Sequence, residues 1–126
     1  MIISLTNGTD YINFIFDSKL NSDLAECNIV DIRLKIGNLN YAYQEEFLTQ
    51  AIYNFYNDIS QRTSYEATLY GIGLVLFLRK QGNLGHYQAH VAVDNSTDKI
   101  KIDISFGVST IDIDRFLGSL CELVKK

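Results

Sequence analysis

The side chains best suited to hold a metal ion are two histidines four residues apart, His86 and His90 in "GHYQAH". On a helix that spacing puts both on one face, a familiar half of a zinc site. Yet Tyr87, Ala89, Val91 and Val93 alternate with His86, Gln88, His90, Ala92 and Asp94, a period of two that predicts a strand. At a rise of about 3.3 Å per residue the two imidazoles stand roughly 13 Å apart, too far to share one ion. No metal and no cofactor is expected. The neighbouring carboxylates Glu45-Glu46 and the pair Asp112, Asp114 are read as solvated or helix-capping rather than as a general acid-base couple. There is no GxSxG elbow, P-loop or GxGxxG, and neither Cys27 nor Cys121 stands near a histidine in sequence. Gly71 and Gly73 flank Ile72 in "YGIGL", a pattern of a bulge or tight turn rather than a phosphate cradle. The reading is a non-catalytic chain.

Composition limits what remains. The 126 residues suffice for one domain, 1–126, that buries its core without staples. The two cysteines match no disulfide framework and are expected to be free thiols. "GIGLVLFL" at 71–78 is too short to cross a bilayer, and "MIISLTNGTD" lacks the basic and apolar regions of a secretory signal, so a cytoplasmic protein is expected. A formal charge of −4 with no basic cluster argues against direct nucleic-acid binding, which needs a basic surface.

The elements follow from apolar spacing. "IISL" and "YINFIFD", separated by "TNGT", predict an opening hairpin. "IVDIRLKI" alternates cleanly, Gly37-Asn38 suits a primed two-residue turn, and "LNYAYQE" continues in phase. That loop sets Ile36 opposite Leu39, Leu34 opposite Tyr41 and Ile32 opposite Tyr43. A helix is then expected with Thr49 as N-cap, Ile52, Phe55, Tyr56 and Ile59 as its buried stripe, and an end near Gln61. "TSYEATLYG" predicts a strand, and the unbroken run in "GLVLFLRK" predicts another, buried on both faces at the sheet centre.

With "NSTD" at 95–98 as a hairpin loop, "HYQAHVAVD" pairs with "KIKIDISFG" so that Asp94 meets Lys99, Val91 meets Ile102, Tyr87 meets Phe106 and His90 meets Asp103. Asp103 is then expected to favour the protonated imidazolium of His90, which makes the pair structural. His86, near the turn formed by Gly82, Asn83, Leu84 and Gly85, is expected to complete that turn or face solvent. A second helix follows, capped by Ser109 or Thr110, with Asp112 and Asp114 at its positive end and Lys125 and Lys126 at its negative end. Its stripe is Ile113, Phe116, Leu117, Leu120, Leu123 and Val124, with Cys121 at the margin. The fold class is α+β: an antiparallel, meander-like sheet of about six to eight strands with two helices, one mid-chain and one C-terminal.

Surface composition points to protein binding. Eight tyrosines accompany no tryptophan and no proline, and tyrosine is enriched at protein interfaces. Tyr41, Tyr43 and Tyr87 fall in phase with the aliphatic side of the sheet, whereas Tyr11, Tyr53, Tyr65 and Tyr70 are candidates for exposure. Asp94, Asp98, Asp103, Asp112 and Asp114 make a modest acidic concentration that would speed association with a basic partner.

The order of elements, with "EEFLTQAIYNFYNDI" at 45–59, Gly85-His86 opening "GHYQAHVAV", and "KIDISFGVSTIDIDRFLGSLCELV" at 101–124, resembles the WapI-type immunity proteins of bacterial polymorphic toxin systems. The resemblance implies a cytoplasmic, non-catalytic protein that binds and blocks a cognate toxin domain. Such toxins are often nucleases with basic grooves, which suits an acidic face. The alternative is a domain that binds a small ligand or acts as an enzyme through a pocket between helices and sheet.

Overall fold

The computed structural model describes residues 1–61, 66–81 and 86–125. The order is β1 (Ile2–Thr6), β2 (Tyr11–Ile15), β3 (Cys27–Ile36), β4 (Leu39–Leu48), α1 (Thr49–Ser60), β5 (Glu66–Tyr70), β6 (Leu74–Gln81), β7 (His86–Asn95), β8 (Ile100–Ser109) and α2 (Thr110–Val124). The strands form two antiparallel meanders of four, β1-β2-β3-β4 and β5-β6-β7-β8. The fold is α+β, with one helix mid-chain and one at the C-terminal end. Each half of the chain is thus a four-stranded meander followed by a helix. The helices cross over: α1 packs on β5 and α2 on β1. An apolar stripe left on one meander is in this way buried by the other half.

The helix stripes recur at matched positions. Thr49, Ile52 and Phe55 in α1 stand where Thr110, Ile113 and Phe116 stand in α2. Phe55 and Phe116 meet edge to face at 6.0 Å between ring centroids, and Phe14 reaches both Phe47 and Phe116. All are buried. Each full burial of such a ring contributes about 1.5–3 kcal/mol, so this cluster joins the two halves more firmly than any single polar contact.

The opening hairpin and the β3–β4 register are as the sequence implies, with Ile36 opposite Leu39, Leu34 opposite Tyr41 and Ile32 opposite Tyr43. In α1, Ile52, Phe55 and Ile59 are buried with Tyr56 half-buried, and the helix is capped at Gln61. In α2 the expected stripe is likewise buried or half-buried. Cys27 and Cys121 are free thiols.

Four expectations need correction. Thr49 is not the N-cap of α1: Leu48 holds that position without a side-chain cap, and Thr49 is the first helical residue, wholly buried. The segment before β3 does the capping instead. Glu26 and Leu24 carbonyls accept from Thr49 and Gln50 N–H, each at 3.1 Å. The Thr49 hydroxyl donates to Asn21 O and accepts from Asn28 Nδ2. α2, by contrast, has a capping box in which Ser109 Oγ accepts from Asp112 N–H while Asp112 Oδ2 accepts from Ser109 N–H.

The second correction is the β7–β8 register. Val91 opposes Ile104, Tyr87 opposes Val108, Asp94 opposes Lys101, and His90 opposes Ser105 rather than Asp103. The loop is 96–99, not 95–98, because Lys99 adopts a left-handed φ of 55° while Asn95 stays in the strand and accepts from Thr97 N–H through Oδ1. A slip of two residues leaves every side chain on its original face. Third, β6 is not buried on both faces: Leu74, Leu76 and Leu78 point inward, while Val75 and Phe77 are half-exposed. Fourth, Glu45 is buried rather than solvated. Tyr65, Lys126 and the turn at Gly82, Asn83, Leu84 and Gly85 lie outside the described residues.

Candidate functional site

Apolar side chains remain uncovered on the outer face of the second sheet, Tyr70 and Ile72 among them. Alternation along β6 and β7 turns Leu76 and Val91 inward and leaves Val75 beside Ala92, and Phe77 beside His90, facing out. β5 adds Tyr70 next to Val75, and the turn between β5 and β6 adds Ile72. Tyr70 is 63% exposed and Ile72 75%. Asp103 extends the row from Ala92, and Asp94 faces Lys101 one step closer to the loop. Glu66 and Arg79, 3.7 Å apart, close the opposite end. An apolar centre between charged ends is the usual make-up of a protein interface. A shallow depression of about 320 Å³ lies here, between Ile72, Val75, Ala92, Lys101 and Asp103.

His90 and Asp103 do pair, although they are not directly opposite. His90 Nε2 lies 2.6 Å from Asp103 Oδ1, a diagonal contact between neighbouring rungs on the outer face. Both side chains are substantially exposed, so the pair orients the imidazole more than it stabilises the fold.

Two anchors from β4 fix this sheet from below. Glu45 Oε1 accepts from Gly73 N–H at 2.6 Å and from the Tyr43 hydroxyl at 3.4 Å, while its Oε2 accepts from Glu46 N–H. Burial, and next the Glu45 charge, push the Tyr43 phenol well above its ordinary range. The Gly71-Ile72-Gly73 turn lies so close over this carboxylate that side chains would not fit. A Cβ at Gly71 would come within 2.8 Å of Phe47 Cε1, and one at Gly73 within 2.9 Å of the Asp94 carbonyl. Further along β4, Tyr41 donates to Asp98 Oδ2 at 2.6 Å and accepts from Asn95 Nδ2 at 2.8 Å, which secures the β7–β8 loop. Tyr41 stacks on Tyr43 at 5.1 Å.

The five aspartates singled out from sequence therefore divide by role. Asp94 and Asp103 share the outer face of the second sheet. Asp98 is engaged with Tyr41 and Asn95, and Asp112 with the Ser109 cap. Asp114 is exposed on α2. Tyr41, Tyr43 and Tyr87 are half-buried against the core, as their phase implies. His86, exposed at the start of β7, and His90 both lie on that strand. Among the described residues no group of three or more His, Cys, Asp or Glu is arranged to hold a metal ion.

Glu45 was legible and missed. The alternation of Leu39, Tyr41 and Tyr43 continues through Glu45 to Phe47, which puts the carboxylate on the apolar side. The apolar outer face was present in the sequence too, as Val75 and Phe77 between the inward leucines.

The class defined by this arrangement is an α+β domain of two four-stranded meanders, and no helix among the described residues is long and apolar enough to cross a membrane. No family model, curated protein or solved structure matches the chain.

Proposed function

We propose that this chain is an immunity protein, acting in the cytoplasm without catalysis, that binds a cognate toxin domain and blocks it through the outer face of the second sheet. The observation that carries the reading is the exposed Tyr70 and Ile72 beside half-exposed Val75 and Phe77, ringed by Asp94, Asp103 and the Glu66–Arg79 pair. A partner that puts an apolar side chain on this centre and basic groups toward Asp94 and Asp103 would complement it, and the net charge of −4 would speed the encounter. A strand-built face suits inhibition by obstruction, since covering a toxin's active surface requires area rather than chemistry. The buried polar residues Glu45, Asn28 and Thr49 are each bonded within the fold.

The test is growth rescue. Any toxin domain encoded immediately upstream is induced in a sensitive host with and without this protein. Rescue by the wild-type chain, lost in Ile72→Asp and Phe77→Ser at equal expression, is the expected result. A toxic neighbour that still kills beside well-expressed protein contradicts the pairing, and a small-ligand or enzymatic role then takes its place.

A further inference from the structure

The fourth strand of each meander has a free edge, and the two edges differ. Beside the Gly37-Asn38 loop, Ile36 and Leu39 form the closing hydrogen-bonded pair. Bonded and non-bonded pairs alternate along an antiparallel ladder, so Tyr41 and Tyr43 also bond β3, while Asn40, Ala42, Gln44 and Glu46 turn their N–H and C=O away from it. The surroundings of Glu46 agree: its carbonyl accepts from Ile72 N–H and its N–H donates to Glu45. Between that contact and the hairpin loop, the outward backbone groups of Asn40, Ala42 and Gln44 meet no partner among the described residues. The same alternation in β8 turns out Lys101, Asp103, Ser105 and Gly107, and Asn7 Nδ2 donates to the Gly107 carbonyl at 3.0 Å.

We propose that β4 pairs antiparallel with β4 of a second copy about a twofold axis at Ala42, joining the two first sheets into one. Unpaired backbone on an edge strand is a template for another strand unless charge or cover blocks it. β8 is guarded: charged Lys101 and Asp103 occupy its outward positions, and Asn7 covers the Gly107 carbonyl. β4 has no such guard, since Asn40, Ala42 and Gln44 are uncharged and exposed. Self-pairing puts Asn40 opposite Gln44 of the second copy and Ala42 opposite Ala42, with no charge opposed to a like charge. It also sets Tyr41 opposite Tyr43 of the second copy, extending the Tyr41–Tyr43 stack across the axis. A closed, isologous contact of this kind ends at two copies.

Sedimentation velocity of the full chain over a range of concentrations tests this. A dimer is expected whose dissociation constant rises at least about tenfold in Ala42→Arg, which sets two cations opposite each other on the axis with Arg33 beside each, and in Ala42→Pro, which removes an outward donor without touching the β3 ladder. Circular dichroism confirms that both variants fold; if the proline variant does not, Ala42→Arg decides alone. A chain that stays monomeric throughout, a dimer unmoved by Ala42→Arg, or open-ended polymers, as a β4 edge meeting a β8 edge would give, each overturns the proposal. Toxin rescue plays no part in this readout, so the two proposals fail separately.

Discussion

The two sheets are built on one plan and finished differently on their outer faces. On the central strands of the first, Asn13 stands beside Arg33, Tyr11 beside Lys35 and Ile15 beside Asp31. At the matching places in the second, Val75 stands beside Ala92 and Phe77 beside His90. The first face has its apolar residues at one end, where Ile2, Ile15 and Ile29 gather, and spends its centre on charge. The second has the reverse order. Since both meanders bury equivalent inner faces with the same helix plan, stability does not require the second face to be apolar. The proposed docking surface rests on that difference.

If the halves do share a plan, matched core positions must fail alike. Phe55→Ala and Phe116→Ala are each expected to destabilise by about 3–5 kcal/mol in urea unfolding, since both rings are buried in one cluster. A loss below about 1 kcal/mol for either would break the equivalence. The next effect sharpens the comparison where the halves part, at Glu45, whose counterpart at the matching position in β8 is Phe106. Glu45→Ala strands the Gly73 N–H and is expected to cost about 1–3 kcal/mol, whereas Glu45→Gln, which keeps an acceptor, loses less. The helix starts come third. Ser109→Ala removes a capping box and should cost about 1 kcal/mol, while Leu48→Ala, with no side-chain cap to lose, should cost less than about 0.5 kcal/mol.

A pH effect follows from Tyr43. Its phenol titrates higher in the folded chain than in the unfolded one, where the ordinary value is 10.0. The stabilisation linked to it is therefore complete below about pH 10 and declines as pH rises beyond that. Unfolding midpoints taken from pH 8 to 11 should fall at the alkaline end, and Tyr43→Phe should flatten the fall. The smallest expected change is in the stability of Ile72→Asp, within about 0.5 kcal/mol of wild type because the side chain is 75% exposed. A larger loss would make Ile72 part of the fold and weaken its place on the proposed docking face.

What the sequence disclosed depended on how tightly each segment constrained its neighbours. The Gly37-Asn38 loop admits one closing pair, so the β3–β4 register could be read directly. The β7–β8 loop depends on Lys99 entering the left-handed region, which no residue type announces, and a two-residue slip keeps apolar opposite apolar. Both candidate registers of the β7–β8 hairpin satisfy the same alternation, so alternation could not choose between them. The duplicated plan was hidden because matched strand positions carry different chemistry, Glu45 against Phe106 and Arg33 against Ala92, and because the two hairpin loops differ in length. Thr49's burial in the Asn21 and Asn28 network was out of reach, since it depends on residues far from the helix. The outer face of β6 reads as buried for a physical reason: an unbroken apolar run has one appearance whether its second face is buried in the fold or left uncovered.

The most direct test uses the matched pair Ala92 and Arg33. With the purified toxin domain as titrant, calorimetry would compare Ala92→Glu, on the second outer face, with Arg33→Glu, on the first. The account predicts that Ala92→Glu raises the dissociation constant at least about a hundredfold, roughly the 2.7 kcal/mol of a lost central contact, and that Arg33→Glu leaves it within about threefold. Equal weakening by both, or weakening by Arg33→Glu alone, would contradict it and move the interface off the second sheet.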